Sequence, residues 1–341
     1  MKINKKELLS KIKSVQPGLT KKEVLEQSTH FVFTGDEIAT HNGTISVRCP
    51  CKTDFKCSVL AHKFYEILST IEEEDVDISV KGKELLIKSA KVRSGMSIMV
   101  DDTIQTRLAS IPNVKKWKPL PEDFIKGLFL CMFSVSKDMY CGVLNCVQVT
   151  KEDIYSSDDL RISHYQMAKK MTDTFLLPLA VVTELVKFKM VKYSLDEDSS
   201  WIQFMDDHGL LFSSRCVKDT YPDASQFLNV EGIKVNLPKK LQESIDIVCT
   251  IIDDFRDIEK RMTVVFEENR IICKAEQEKG WIEKEMEIKY KGKSLSLNIN
   301  PVFLHEILNK STNMIIGGDR ALFTSDAFQH VMVLPAKEVV E

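Results

Sequence analysis

Residues 58–93 read SVLAHKFYEILSTIEEEDVDISVKGKELLIKSAKVR, and their pattern defines the unit from which the chain is built. Across 61–70, Phe64, Ile67 and Leu68 share one face while Lys63 and Glu66 lie off it, the period of a short helix. Val76, Ile78 and Val80 then alternate as a strand, Lys81-Gly82-Lys83 turns it, and Leu85, Leu86 and Ile87 return. With a strand leading in at 58–60, the stretch reads strand, helix, strand, hairpin, strand.

The same order recurs. FLLPLAVVTELV at 175–186 opens a second copy and LNINPVFLHEIL at 297–308 a third. The triplets Glu66-Ile67-Leu68, Glu184-Leu185-Val186 and Glu306-Ile307-Leu308 stand roughly 120 residues apart, a spacing of whole domains rather than solenoid repeats.

Working outward, each copy has a leading helix. Residues 4–15 carry Leu8, Leu9, Ile12 and Val15 as a stripe, with Lys5, Lys6, Lys11 and Lys13 off it, and Pro17-Gly18 stops them. A meander over 29–47 follows, turned by Asn42-Gly43. Residues 122–135 form the second leading helix, with Phe124, Leu128, Phe129 and Met132 inward and Lys126 off the stripe. Strands are expected over 143–149 and 154–167, and a hairpin through 206–209. The third leading helix spans 238–252, with Lys239 and Lys240 in its first turn, where they oppose the helix dipole. Strands at 262–266, 270–276, 283–290 and 294–299 come next, and 331–335 is a last buried strand. The boundaries are the proline-marked segment at 111–117 and the polar connector ending near Gly232, which gives domains 1–117, 118–232 and 233–341. Each is α+β, with two helices on antiparallel sheet.

The 341 residues are 43% apolar, enough for real cores, and 28% charged. The net charge of −3 argues against a protein that simply coats nucleic acid. It leaves room for positive charge gathered on one surface. No apolar run is long enough to span a bilayer, and MKINKKELLSKIK lacks the apolar core of a secretory signal. Nine scattered cysteines without an export signal read as reduced thiols, so the expected location is cytoplasmic and no membrane partner is expected.

Catalytic patterns are missing. There is no phosphate-cradling glycine loop and no Gly-x-Ser-x-Gly elbow. His305-Glu306 lacks the second histidine of a zinc-protease helix. Cys49-x-Cys51 with Cys57 has no partner pair to complete a tetrahedral site. Acidic doublets at 101–102, 158–159, 206–207 and 253–254 mostly fall in expected turns, where Asp bonds its own backbone, rather than converging on metals. No enzyme activity, metal or cofactor is expected. A metal-dependent hydrolase built on those doublets is the alternative class.

With three repeats in view, the chain resembles the bacterial DNA sliding clamp, the beta subunit family of DNA polymerase III. The resemblance is carried in order by FVFTGD at 31–36, HNGTIS at 41–46, VLAHKFYEIL at 59–68, LLIKSAKVR at 85–93 and IPNVKKW at 111–117. Leu144-Asn145, Tyr221-Pro222-Asp223, LNINP at 297–301 and VMVLP at 331–335 continue it. It implies a homodimeric ring of six clamp domains, sheets outside and helices lining a hole for duplex DNA. On that reading Lys5, Lys6, Lys11, Lys13, His62, Lys63, Lys126, Lys137, Lys239 and Lys240 face DNA phosphate, in nonspecific contacts weak enough for sliding.

It also implies a hydrophobic cleft between the second and third domains, which takes short motifs from the polymerase and clamp loader. By position the cleft would use Leu144, Ser157, Asp159, Leu160, Arg161, Pro222, Gln226, Phe227, Met332, Val333, Leu334 and Pro335. Met96, Met99, Ile247 and Val248 would lie at the dimer edges. The chain departs from the family pattern in SSDDLR at 156–161, where only the Asp and Arg survive, and in Leu179-Ala180, which replaces a basic pair. A clamp-fold scaffold or competitor that binds partner peptides without encircling DNA is therefore the second reading.

Overall fold

The computed structural model describes residues 1–99, 103–114, 116–254 and 256–336. The acidic doublet at 101–102 and the tail beyond Ala336 lie outside the described residues. The helices are α1 (Lys5–Val15), α2 (Ala61–Thr70), α3 (Thr103–Ser110), α4 (Phe124–Cys131), α5 (Leu179–Leu185), α6 (Leu241–Cys249) and α7 (Pro301–Leu308). Among the described residues, no helix is long and apolar enough to cross a membrane. The chain forms two compact units, 1–125 with 180–218 and 126–179 with 219–341.

In the first unit, twelve antiparallel strands join in one sheet among the described residues. Helix α1 starts at Asn4, whose side chain accepts the Glu7 amide and so satisfies one of the free amides of the first turn. Its Leu8, Ile12 and Val15 are fully buried, each worth about 2 kcal/mol of transfer free energy. Helix α2 spans the expected residues. Its Phe64 meets Phe33 edge-on at 5.7 Å, while Leu68 completes the buried face. The strand pair Asp75–Lys81 and Glu84–Lys88 turns at Gly82, whose φ of +61° costs glycine little. Strand Ile45–Pro50 pairs with Leu211–Arg215, Val47 opposite Phe212, so segments far apart in the sequence share one sheet.

Helix α3 was not expected. Its signal is present in the sequence, since Ile104, Leu108 and Ile111 recur at helical spacing and pack with Val32, Ala39 and Trp201.

The second unit holds an eight-stranded and a four-stranded sheet, both antiparallel. Strand Arg161–Gln166 pairs with Phe328–Val333, with Arg161 opposite Met332. Gly232 enters the strand Ile233–Asn236 against the backbone of Ile316. A Cβ there would stand 1.9 Å from the Ile316 carbonyl oxygen, so only glycine fits.

The fold departs from the expected pattern at four further places. Helix α4 ends at Cys131 and turns Phe129 outward, 54% exposed, beneath the Lys310 ammonium at 4.6 Å. Residues 139–145 form a 3-10 turn broken at Gly142, and the strand begins only at Cys146. Helix α6 begins at Leu241. Pro238, Lys239 and Lys240 make the turn before it, and the Leu241 amide donates to the Pro238 carbonyl. The strand expected at 283–290 runs Gly280–Glu287, because Gly280, at φ +147°, permits an earlier turn.

Candidate peptide cleft and basic surfaces

The cleft is built in the second unit from a hairpin upward. Strands Asp153–Ser157 and Arg161–Gln166 are joined through Asp158, Asp159 and Leu160. Asp159 has φ +72°, a left-handed position that Asp tolerates better than most residues. The Asp158 carboxylate caps the turn, accepting from the Leu160 and Arg161 amides at 3.3 and 3.1 Å.

Arg161 is 4% exposed and fully engaged. Its Nε donates to Asp158 at 2.8 Å, one terminal nitrogen to Glu306 of α7, and the other to the Phe133 carbonyl at 2.9 Å. Burial pushes the Asp158 carboxyl above its usual range, with Arg161 pulling the other way. The arginine is thus a strut tying the hairpin to α7 beneath the cleft wall.

Above it opens a depression of about 260 Å³. Leu144 enters from the 3-10 turn Met139–Asn145, Pro222 and Phe227 from the connector, and Val331 and Val333 from one face of the strand Phe328–Val333. Of the twelve residues expected at the cleft, Leu144, Ser157, Asp159, Leu160, Arg161, Pro222, Phe227 and Val333 line it. Met332 does not. In a strand, alternate residues face opposite ways, and Met332 is fully buried on the other face. Leu334 and Pro335 line a separate depression beside Leu297 and Gly317, and Gln226 stands outside. Tyr221, Asp223, Asp319, Arg320 and Val331 join the lining without having been expected there. Alternation along residues 328–333 is the signal that picks Val331 over Met332.

A buried histidine lies behind the same strand pair. His330 Nδ1 meets the Ser163 hydroxyl at 2.9 Å, its Nε2 has no partner among the described residues, and burial holds it well below the usual imidazole range.

The expected basic residues divide between the units. In the first, Lys5 donates to the Ile71 carbonyl, Lys11 pairs with Glu7 at 2.8 Å and Lys63 with Glu66 at 3.0 Å. Lys6 reaches Glu74 only at 3.9 Å, and Lys13 lies 6.0 Å over the Tyr65 ring, joining α1 to α2. Exposed pairs of this kind contribute little and yield readily to a stronger partner. His62 is exposed and lines an open depression of about 570 Å³ with Lys21 and Lys22, two cations outside the expected set. In the second unit Lys126, Lys137, Lys239 and Lys240 are all exposed.

Of the expected edge residues, Met99 and Ile247 are each 41% exposed. Met96 and Val248 face inward and are buried in their own chain. All nine cysteines are free thiols, and burial raises Cys57 and Cys273 to about 12. Among the described residues no group of three or more His, Cys, Asp or Glu is placed to hold a metal ion. Asp158 serves Arg161, Asp206 caps its own turn and Asp253 meets Lys279.

No family profile matches the sequence, and no curated protein matches it. Solved structures do match. The DNA polymerase III subunit beta of Pseudomonas aeruginosa superposes with a TM-score of 0.82 at 16% identity, covering 99% of this chain and 100% of that one. The beta subunit of Thermotoga maritima gives 0.82 at 17% identity over 98% and 99%. The Helicobacter pylori beta clamp bound to a DNA ligase peptide gives 0.80 at 16% identity over 99% and 100%. From end to end, this chain has the fold of the bacterial DNA polymerase III beta subunits, the sliding clamps.

Proposed function

We propose that this protein is a divergent sliding clamp: a homodimer that encircles duplex DNA and tethers a polymerase through the apolar cleft. The supporting observation is the superposition at a TM-score of 0.82, which leaves almost no residue of either chain unmatched. A clamp needs no tight base contacts, so a net charge of −3 fits, with lysines presented on α1, α2, the loop at 21–22 and the turn before α6. Three domains, 1–117, 118–232 and 233–341, would give six in the dimer. The polymerase and its loader would insert aliphatic anchors between Leu144, Phe227 and Val333. The reading assigns the chain no catalysis and no cofactor and places it in the cytoplasm.

Light scattering tests the ring. Twice the chain mass at micromolar concentration is expected, and a strict monomer removes the closed ring.

The second reading is a clamp-fold scaffold that binds partner peptides without encircling DNA. It is favoured by α5, which begins Leu179-Ala180 and carries no cation. Activity that stays intact after charge reversal at Lys63, Lys239 and Lys240 would favour the scaffold, since a DNA clamp so altered should fail.

A further inference from the structure

The cleft has an apolar floor and an acidic rim, and its cations are already committed. Arg161 is buried among Asp158, Glu306 and the Phe133 carbonyl. Arg320 is held by both oxygens of Asp319 at 2.9 and 2.8 Å, with its guanidinium 5.6 Å over the Phe227 ring. Two carboxylates at the mouth have no such partner. Asp159 and Asp223 are exposed, and among the described residues neither stands within ion-pairing distance of a cation. Asp223 accepts from the amide and hydroxyl of Ser225, which hold its carboxyl below the usual range.

Tyr221 closes the wall from behind, with its hydroxyl sealed from the opening. The residue is 6% exposed, the Ser157 backbone lies beside it, and among the described residues no atom meets it at hydrogen-bonding geometry.

We infer that the cleft takes an extended peptide whose aliphatic anchors are flanked by lysine or arginine. The inference rests on the docking reading above and specifies the partner. The anchors fill the floor between Leu144, Leu160, Val331 and Phe227. The flanking cations reach the exposed carboxylates of Asp159 and Asp223. An acidic flank meets two uncompensated carboxylates and is rejected, which is how charge adds specificity to an apolar groove.

The test is fluorescence anisotropy on the full chain with three labelled peptides. They share a core with two leucine anchors and are flanked by lysine, glutamine or glutamate. The lysine-flanked peptide binds about fivefold tighter than the glutamine-flanked one, as two solvent-exposed ion pairs allow, and the glutamate-flanked one binds weakest. That ratio falls to about one in the Asp159→Asn, Asp223→Asn double variant, and also in about 0.5 M salt, where exposed charges are screened. Equal binding of the lysine and glutamine peptides overturns the inference and leaves docking standing. So does a lysine preference that survives the double variant. If none of the three peptides binds, the docking reading falls with it.

Discussion

The Arg161 guanidinium carbon lies 4.0 Å from the centroid of the Phe303 ring, a cation on an aromatic face with almost no water between them. The hairpin that carries Asp159 is thereby seated on α7. The sequence resemblance places Arg161 in the peptide cleft. The structure adds that most of its bonding capacity faces away from the opening, toward Asp158, Glu306 and Phe133.

Replacing Arg161 by Met should destabilise the protein by roughly 3–5 kcal/mol, because Asp158 is left buried without its countercharge. Burial already sets the Asp158 carboxyl high, and losing the arginine raises it further. A protonated Asp158 carries no uncompensated charge. The gap in Tm between wild type and Arg161→Met should therefore narrow as pH falls from neutral through the raised Asp158 value. Thermal melts across pH check this, and a gap that stays constant would count against the strut.

Acid should weaken the wild type through His330. Its folded pKa is depressed, so it stays neutral in the fold while the unfolded chain takes up a proton below about pH 6.5. Stability is present above that value and is lost below it, by about 1.4 kcal/mol per pH unit for this one group. His30 and His41, also lowered by burial, add to the slope. The His330→Gln variant should be less stable at pH 8 and lose less on acidification. Denaturant titrations at pH 8 and pH 5 read the difference.

Ile247 is exposed, so Ile247→Asp should leave the chain folded, with the circular dichroism of the wild type. In the ring reading the same change puts a charge into an apolar contact between protomers, and the scattering mass should halve. A variant that keeps the wild-type mass would remove Ile247 from the interface.

Reversing Lys6, Lys13 and Lys63 to Glu should lower the salt slope of duplex binding by roughly two to three, about one for each phosphate no longer engaged. The fold should survive, since Lys63 gives up only an exposed pair with Glu66. Filter binding at several salt concentrations checks the slope. An unchanged slope would place the DNA-binding residues elsewhere.

The sequence is most readable where one period runs undisturbed. Phe64 and Leu68 mark α2 to the residue, and Gly82 marks the hairpin after it. It is least readable where the backbone departs from both periods. The turn at 139–145 needs Gly142 at φ +56°, and nothing local distinguishes Leu144 there from the start of a strand. Helix α3 is hidden because its stripe of Ile104, Leu108 and Ile111 runs into the proline-marked segment and reads as linker. At the cleft, the resemblance names Arg161 and Phe227 but not Asp319 or Arg320. Those two become cleft residues only when the hairpin before the strand Arg320–Ser325 is placed beside Phe227.

The strand Phe328–Val333 stands between Arg161–Gln166 and Arg320–Ser325, in the interior of the eight-stranded sheet rather than at its rim. Ser163 and the His330 it holds are 167 residues apart in the chain. A growing polypeptide must therefore wait with two open strand edges until this segment leaves the ribosome. A chain cut short before Phe328 keeps both edges exposed, and such edges recruit other chains. Nonsense truncations in this region should accumulate as insoluble protein rather than as a shortened, working molecule.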